Sequence, residues 1–163
     1  METIAFEGQN YPAFQANGNA AQYIMPIAKE FCSGYGYDIG CNNDEWKMPE
    51  AIPIDLTFDD EWDAANLPDG KVDYIFSSHC LEHLNNWVEA IEYWTTKIKT
   101  GGSLFLYLPS YTQRYWRPWN NRKHKSIMDP QAISDLMVNL EYTNIYLSGI
   151  DLNNSFSITG EKS

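Results

Sequence analysis

Tyr35-Gly-Tyr-Asp-Ile-Gly-Cys-Asn-Asn-Asp44 is followed closely by Ala51-Ile-Pro-Ile-Asp55. Each is an apolar run, the first ending in Asp38-Ile39-Gly40 and a sharp turn, the second ending in an acid. An open parallel sheet holds a nucleoside in this way. A glycine turn lets the backbone approach the ligand, and a carboxylate at the next strand end accepts the ribose hydroxyls. The second and third glycines of a dinucleotide fingerprint are missing, so the stretch has to be read with the rest of the chain. Only ten residues, Pro49 among them, separate Gly40 from Ala51. A crossover helix with two loops needs about ten to twelve or more, so this helix is expected to be reduced to a turn or absent.

Outward from these two strands, helix and strand alternate. Asn17-Gly18-Asn19 opens a helix over 19–32 that Ser33-Gly34 stops. A short third strand is expected over 62–66, before the turn Leu67-Pro-Asp-Gly70. Val72-Asp-Tyr-Ile-Phe-Ser77 reads as a buried central strand. Helix 84–99 puts Trp87, Ile91, Trp94 and Ile98 on one face, with Glu89 and Glu92 early and Lys97 and Lys99 late, as the helix dipole favours. Gly101-Gly102 is expected to end it, and 103–108 is the next strand. Residues 109–126 carry no regular pattern, and a stretch of that length in a compact domain is usually functional or disordered. Asp129-Pro130 caps a helix to about 139, and strands over 142–150 and 155–160 flank a hairpin turn at Asp151-Leu-Asn-Asn154.

The 163 residues read as one domain, 1–163, large enough to bury a core. With 44% hydrophobic residues and no apolar run of bilayer length, the chain is neither disordered nor membrane-spanning. No basic-then-apolar start marks a signal peptide, so the cytoplasm is the expected location. Cys32, Cys41 and Cys80 lack metal-like spacing and read as reduced thiols. No metal ligands are assigned. The net charge of −11 hides a contrast: residues 111–125 carry five basic side chains and no acid, which leaves −16 on the rest. So acidic a surface repels a nucleic-acid backbone.

The order of elements and the residues at the strand ends resemble the class I S-adenosylmethionine-dependent methyltransferases. The matching segments are Asp38-Ile-Gly-Cys41, Ile54-Asp55, Asp63-Ala64 before Leu67-Pro68, Val72-Asp-Tyr-Ile75 leading to Ser77-Ser-His-Cys-Leu-Glu-His83, and Lys99-Thr-Gly-Gly102 before a strand ending Leu108-Pro109. The short Asp38–Asp55 interval and the Ser-His-x-Leu-Glu-His run look most like compact members associated with glycan synthesis. The resemblance implies a Rossmann-like three-layer α/β sandwich, with a mostly parallel seven-stranded sheet and an antiparallel last strand. It implies S-adenosylmethionine as cofactor, with Gly40, Cys41 and Asn42 at the turn facing the methionine moiety, Asp55 on the ribose, and Asp38 either at the nucleoside or only fixing the glycine turn. Asp63 and Ala64 would lie near the adenine, and Ser78 with His79 below the methyl group. Where the family usually has a further glycine, this chain has Asn42, which tolerates the left-handed conformation.

Transfer to an oxygen needs a base, and histidine suits that task near neutral pH. His79 and His124 are the candidates, each with an alternative: cofactor packing for His79, a solvated place in the basic patch for His124. His83 with Glu82 opens a helix and reads as a capping or packing element. Tyr111, Arg114, Trp116, Arg117, Trp119 and Arg122 form the expected acceptor surface, since aromatic faces with arginines suit a sugar bearing phosphate, nucleotide or uronate. The alternative is that these residues pack the loop or a homodimer contact. The expected acceptor is a small molecule or glycan, with neither membrane nor nucleic acid as partner and with a glycosyltransferase as a neighbour suggested by the resemblance. A non-catalytic scaffold of the same fold is the competing reading. RNA methylation would use the same loop, and a nicotinamide-dependent oxidoreductase lacks its glycines.

Overall fold

The computed structural model describes residues 1–58 and 61–163. The acidic run Asp59-Asp-Glu-Trp-Asp63 thus falls partly outside the described residues. Two short strands, β1 (Thr3–Phe6) and β2 (Gln9–Pro12), form an N-terminal hairpin, followed by α1 (Ala13–Ala16) and α2 (Ala21–Phe31). The main sheet comprises β3 (Gly36–Ile39), β4 (Ile52–Ile54), β5 (Val72–Ser78), β6 (Ile98–Pro109), β7 (Tyr142–Leu147) and β8 (Ser155–Lys162). A single 3-10 turn (Leu81–His83), α3 (Trp87–Lys97) and α4 (Pro130–Asn139) complete the described elements.

The strand order is β4-β3-β5-β6-β8-β7. Pairings among β4, β3, β5 and β6 are parallel, and β8 runs antiparallel to both β6 and β7. The sheet is therefore mostly parallel with an antiparallel last strand, as the resemblance implied. It has six strands among the described residues, not seven. The expected strand over 62–66 is a tight turn, in which the Asp63 carboxylate accepts the N–H groups of Ala65 at 2.7 Å and Asn66 at 2.8 Å. A side chain that captures the backbone locally competes with ladder formation, and here it wins.

Period-2 alternation divides the core between the two faces of the sheet. Ile75, Leu104, Leu106, Leu108, Phe156 and Ile158 meet Ile91 and Trp94 of α3 and Ile133 and Met137 of α4. On the other face Tyr74, Phe76, Phe105 and Tyr107 meet Ala20, Ile24 and Ala28 around α2, with Met48 and Ala51 beside them. No helix lies between β3 and β4, as the ten-residue interval required. The buried Met48 and Ala51 fill part of the space a crossover helix would occupy. Asn86 caps α3 by accepting the Glu89 N–H, and Asp129 caps α4 through Gln131. α3 stops at Lys97, four residues before the expected glycine stop; β6 begins at Ile98 and takes Gly101 and Gly102 into its irregular first half. The three cysteines are free, and no helix among the described residues is long and apolar enough to cross a membrane.

Candidate functional site

The C-terminal ends of β3, β4 and β5 open into one cleft of about 590 Å³, whose lining includes Gly40, Asn42, Asp55, Ser78, His79, His83, Trp116 and His124. In an open α/β sheet that edge is where ligands bind. Gly40 adopts φ +82°, and a Cβ there would lie 2.6 Å from Cys80 Cβ and Sγ. Only glycine fits. Asn42 follows in the left-handed region at φ +59°, as its side chain permits. Its backbone N–H donates to Asp55 Oδ2 at 3.0 Å, while Oδ1 accepts the Thr57 N–H at 3.0 Å. Asp55 thus ties the turn to the next strand and still lines the cleft.

Asp38 does something else. It is buried, and its carboxylate accepts the Met48 N–H at 2.6 Å, holding the loop that replaces the crossover helix. Burial pushes its carboxyl up to about 7. Cys41 is buried as well, between Gly40 and Asn42, which both line the cleft. Ser78 lines it too, with a buried Oγ that has no partner among the described residues. Asp63 turns its carboxylate onto its own loop, and Ala64 lines a neighbouring cleft of about 420 Å³ with Leu84, Asn86 and Tyr93. The two clefts share His83.

The opposite wall brings together all three histidines of the chain around Glu82. Glu82 is wholly buried, and neither carboxylate oxygen has a hydrogen-bond partner among the described residues. Its Oε1 lies 3.5 Å from His79 Nδ1, 4.0 Å from His83 Nε2 and 4.0 Å from His124 Nε2. Burial pushes the Glu82 carboxyl up to about 8. Burial, then the other two imidazoles, pushes His79 down to about 3. His124 is pushed down to about 3 by burial and by His83. His79 sits at φ +50°, its N–H bonded to the Tyr107 carbonyl and its Nε2 3.0 Å from Ser155 Oγ. Both of its ring nitrogens therefore face protein groups. His124 is stacked on Trp116, with ring planes 15° apart.

The loop after β6 divides differently from the sequence expectation. Of its six expected acceptor residues, Trp116 alone lines the cleft. The Arg114 guanidinium donates to the Glu7 carbonyl, and Arg117 donates to the carbonyls of Gln113 and Tyr111. Arg117 also packs over Trp119, which is exposed, as are Tyr111 and Arg122. Phe6 and Tyr11 of the N-terminal hairpin pack on Tyr115, and Tyr11 Oη accepts the Arg114 N–H at 2.8 Å. The arginines thus brace the loop against itself and the hairpin.

Sequence reasoning missed Gln15, Asn17, Gly18 and Asn121, which line the cleft together with Lys123 of the basic loop. Gln15 is 2% exposed, and both of its amide atoms lack partners among the described residues. It also missed Glu82 as the centre of the histidine group, for which the spacing His79-x-x-Glu82-His83 was the available signal.

A search of curated proteins gives no match. Among solved structures, a SAM-dependent methyltransferase from Thermotoga maritima superposes with a TM-score of 0.67 at 14% identity, covering 92% of each chain. A SAM-dependent methyltransferase from Archaeoglobus fulgidus gives 0.64 at 17% identity, over 87% of this chain and 92% of that one. The N-methyltransferase NodS from Bradyrhizobium japonicum, in complex with S-adenosyl-L-homocysteine, gives 0.60 at 14% identity, over 93% and 88%. At these identities the likeness concerns the fold. The family described as "Methyltransferase domain" matches residues 16–147, most of the chain and every main-sheet element from β3 to β7, and the protein belongs to that family.

Proposed function

We propose that the cleft binds S-adenosylmethionine and that the protein transfers its methyl group to a hydroxyl of a sugar, a glycan precursor or another small molecule. The observation that carries this reading is the pairing of two unlike walls in one cleft. The turn Gly40–Asn42 with Asp55 suits a nucleoside and its backbone contacts, and the opposite wall holds three imidazoles and a carboxylate. The fit to the cofactor rests on the chain's own features. Gly40 leaves space where any side chain would meet Cys80, and Gln15 and Ser78 hold polar atoms at the cleft that have no partner among the described residues.

When bound, the cofactor supplies a sulfonium-activated methyl group. Asp55 would accept the ribose hydroxyls in charge-assisted hydrogen bonds, and the Gly40–Asn42 backbone would position the methionine end. In-line transfer breaks the C–S bond as the O–C bond forms, so most of the chain's contribution is alignment. The acceptor hydroxyl loses its proton in the process. A ring nitrogen of the His79–His83–His124 wall would take that proton. Trp116 gives a sugar ring an aromatic surface, and Asn121 and Lys123 give it polar and cationic partners.

The absence of a helix after the Gly40 turn favours a second reading, a scaffold that keeps the fold without turnover. Calorimetry of the folded protein with S-adenosylmethionine and S-adenosylhomocysteine separates the two. Micromolar binding of both, followed by methylation in a screen of sugars and nucleotide sugars, is the expected result. No binding by folded protein would move the assignment to the scaffold.

A further inference from the structure

We propose that Glu82, His83 and His124 form a binding site for one divalent transition-metal ion at the wall of the cleft, with His79 as a fourth donor. The argument begins with hydrogen-bond polarity. His83 Nδ1 lies 2.9 Å from the Lys123 carbonyl, which can only accept, so Nδ1 carries the proton and Nε2 is a bare lone pair. Ser155 Oγ donates its own proton to the Asn153 carbonyl at 3.1 Å, so it accepts from His79 Nε2–H. His79 Nδ1 is then bare as well. Both bare nitrogens face Oε1 of a fully buried carboxylate that has no donor of its own among the described residues.

Acceptors facing acceptors in a buried space repel unless a proton or a cation lies between them; one proton on Glu82 can serve only one of the facing nitrogens, whereas a metal ion can take them all. The donor atoms of Glu82, His83 and His124 already lie within 4.8 Å of one another. Ligands bound about 2.0–2.2 Å from a common zinc-like ion sit roughly 3.3–3.5 Å apart in a tetrahedron, so a contraction of about an ångström closes the set. Imidazoles with one carboxylate select zinc and its neighbours over calcium or magnesium, which prefer oxygen. Imidazoles whose other N–H is tied to a carbonyl or hydroxyl are the usual arrangement around such ions, because the outer bond fixes the tautomer. His83 and His79 both have it.

His79, His83 and His124 also line the cleft, so an ion held by them has an open side toward a bound acceptor. There it would take the acceptor oxygen as a fifth ligand, or in place of His79, and ease loss of its proton. That catalytic meaning rests on the hydroxyl-acceptor reading; ion binding does not.

The test uses the full chain, freed of metal with a chelator and titrated with Co2+ while visible absorption is followed, then challenged with Zn2+. One equivalent of Co2+ with ligand-field bands, displaced by Zn2+, is expected. His83→Ala is partly exposed and should fold, as far-UV circular dichroism will report. It is expected to weaken Co2+ binding at least tenfold, and Glu82→Gln to do the same. A folded wild-type chain without stoichiometric binding would overturn the site, as would unchanged affinity in folded His83→Ala. S-adenosylmethionine calorimetry on the metal-free protein is read separately. Cofactor binding without metal binding removes only the ion, and metal binding without cofactor binding removes only the methyltransfer reading.

Discussion

Asn42 and Asp55 are joined by a 3.0 Å hydrogen bond from the backbone of one to the carboxylate of the other, so the turn after β3 and the end of β4 form one unit. The second carboxylate oxygen takes the Thr57 N–H. Each oxygen can accept twice; Oδ2 has room for one ribose hydroxyl, and Oδ1 for a second once the Thr57 hydroxyl, 2.9 Å from Oδ1, donates instead to the Asn42 carbonyl at 3.1 Å. Asp55→Ala is expected to abolish S-adenosylmethionine binding in calorimetry. Asp55→Asn must set an amide NH2 against one of the two N–H donors. It is expected to lower both affinity and Tm, at a cost of about 1–3 kcal/mol for the group left unpaired. Affinity unchanged in either variant would remove Asp55 from the ribose site.

Gly40→Ala tests the turn itself. The substitution puts a Cβ 2.6 Å from Cys80 Cβ and Sγ and forces a non-glycine residue to φ +82°. Strain of this kind costs on the order of 1–3 kcal/mol. A lower Tm with loss of cofactor binding is the expected outcome. Gly70→Ala is the control for conformation alone, because its φ is +103° and a Cβ there meets nothing within 4 Å. It should lower Tm without touching cofactor affinity.

The parallel sheet, the missing crossover helix and the strand ends that open into the cleft were legible because each depends on local pattern: apolar runs, a glycine turn, an interval too short for a helix. The strand at 62–66 was misread because Asp63 can serve a ladder or a turn, and its choice depends on Ala65 and Asn66 being free to donate. The division of the basic loop into cleft-lining and bracing residues was not legible for a related reason. Arginine charge is visible in sequence, but the carbonyls of Glu7, Gln113 and Tyr111 that occupy Arg114 and Arg117 are not. Glu82 and His124 are 42 residues apart in sequence. Their meeting needs the loop to fold back, with the Lys125 N–H bonded to the Glu82 carbonyl at 2.7 Å.

Asp38 gives the protein a pH-dependent element away from the histidines. Its ordinary value is 3.8, and burial raises it to about 7 in the folded state. Between those values the folded chain binds more protons than the unfolded one, so this group's contribution to stability falls as pH rises. The contribution is full below about pH 4 and lost by about pH 7. At about 1.4 kcal/mol per unit it is on the order of a few kcal/mol. Asp38→Asn keeps an oxygen for the Met48 N–H and removes the titration. Denaturation midpoints of wild type and variant should agree near pH 4, with the variant gaining the advantage by pH 7.5. Parallel curves across that range would show that Asp38 does not titrate there.

The loop after β6 separates cleft-lining from bracing side chains within a few residues. Lys123 and Trp116 line the cleft, whereas the Arg117 guanidinium is committed to the carbonyls of Gln113 and Tyr111. With an acceptor in hand, Lys123→Ala is expected to raise the acceptor KM several-fold while leaving cofactor affinity unchanged, and Trp116→Ala to do so more strongly. Arg117→Ala should instead loosen the loop. Protease cleavage within 111–125 would rise, and acceptor and cofactor use would fall together if the hairpin and Gln15 shift with it. The Phe6–Tyr115 edge contact and the Tyr11–Arg114 hydrogen bond make that coupling physical. A selective acceptor defect in Arg117→Ala, with the loop as protease-resistant as wild type, would return the arginine to the acceptor surface.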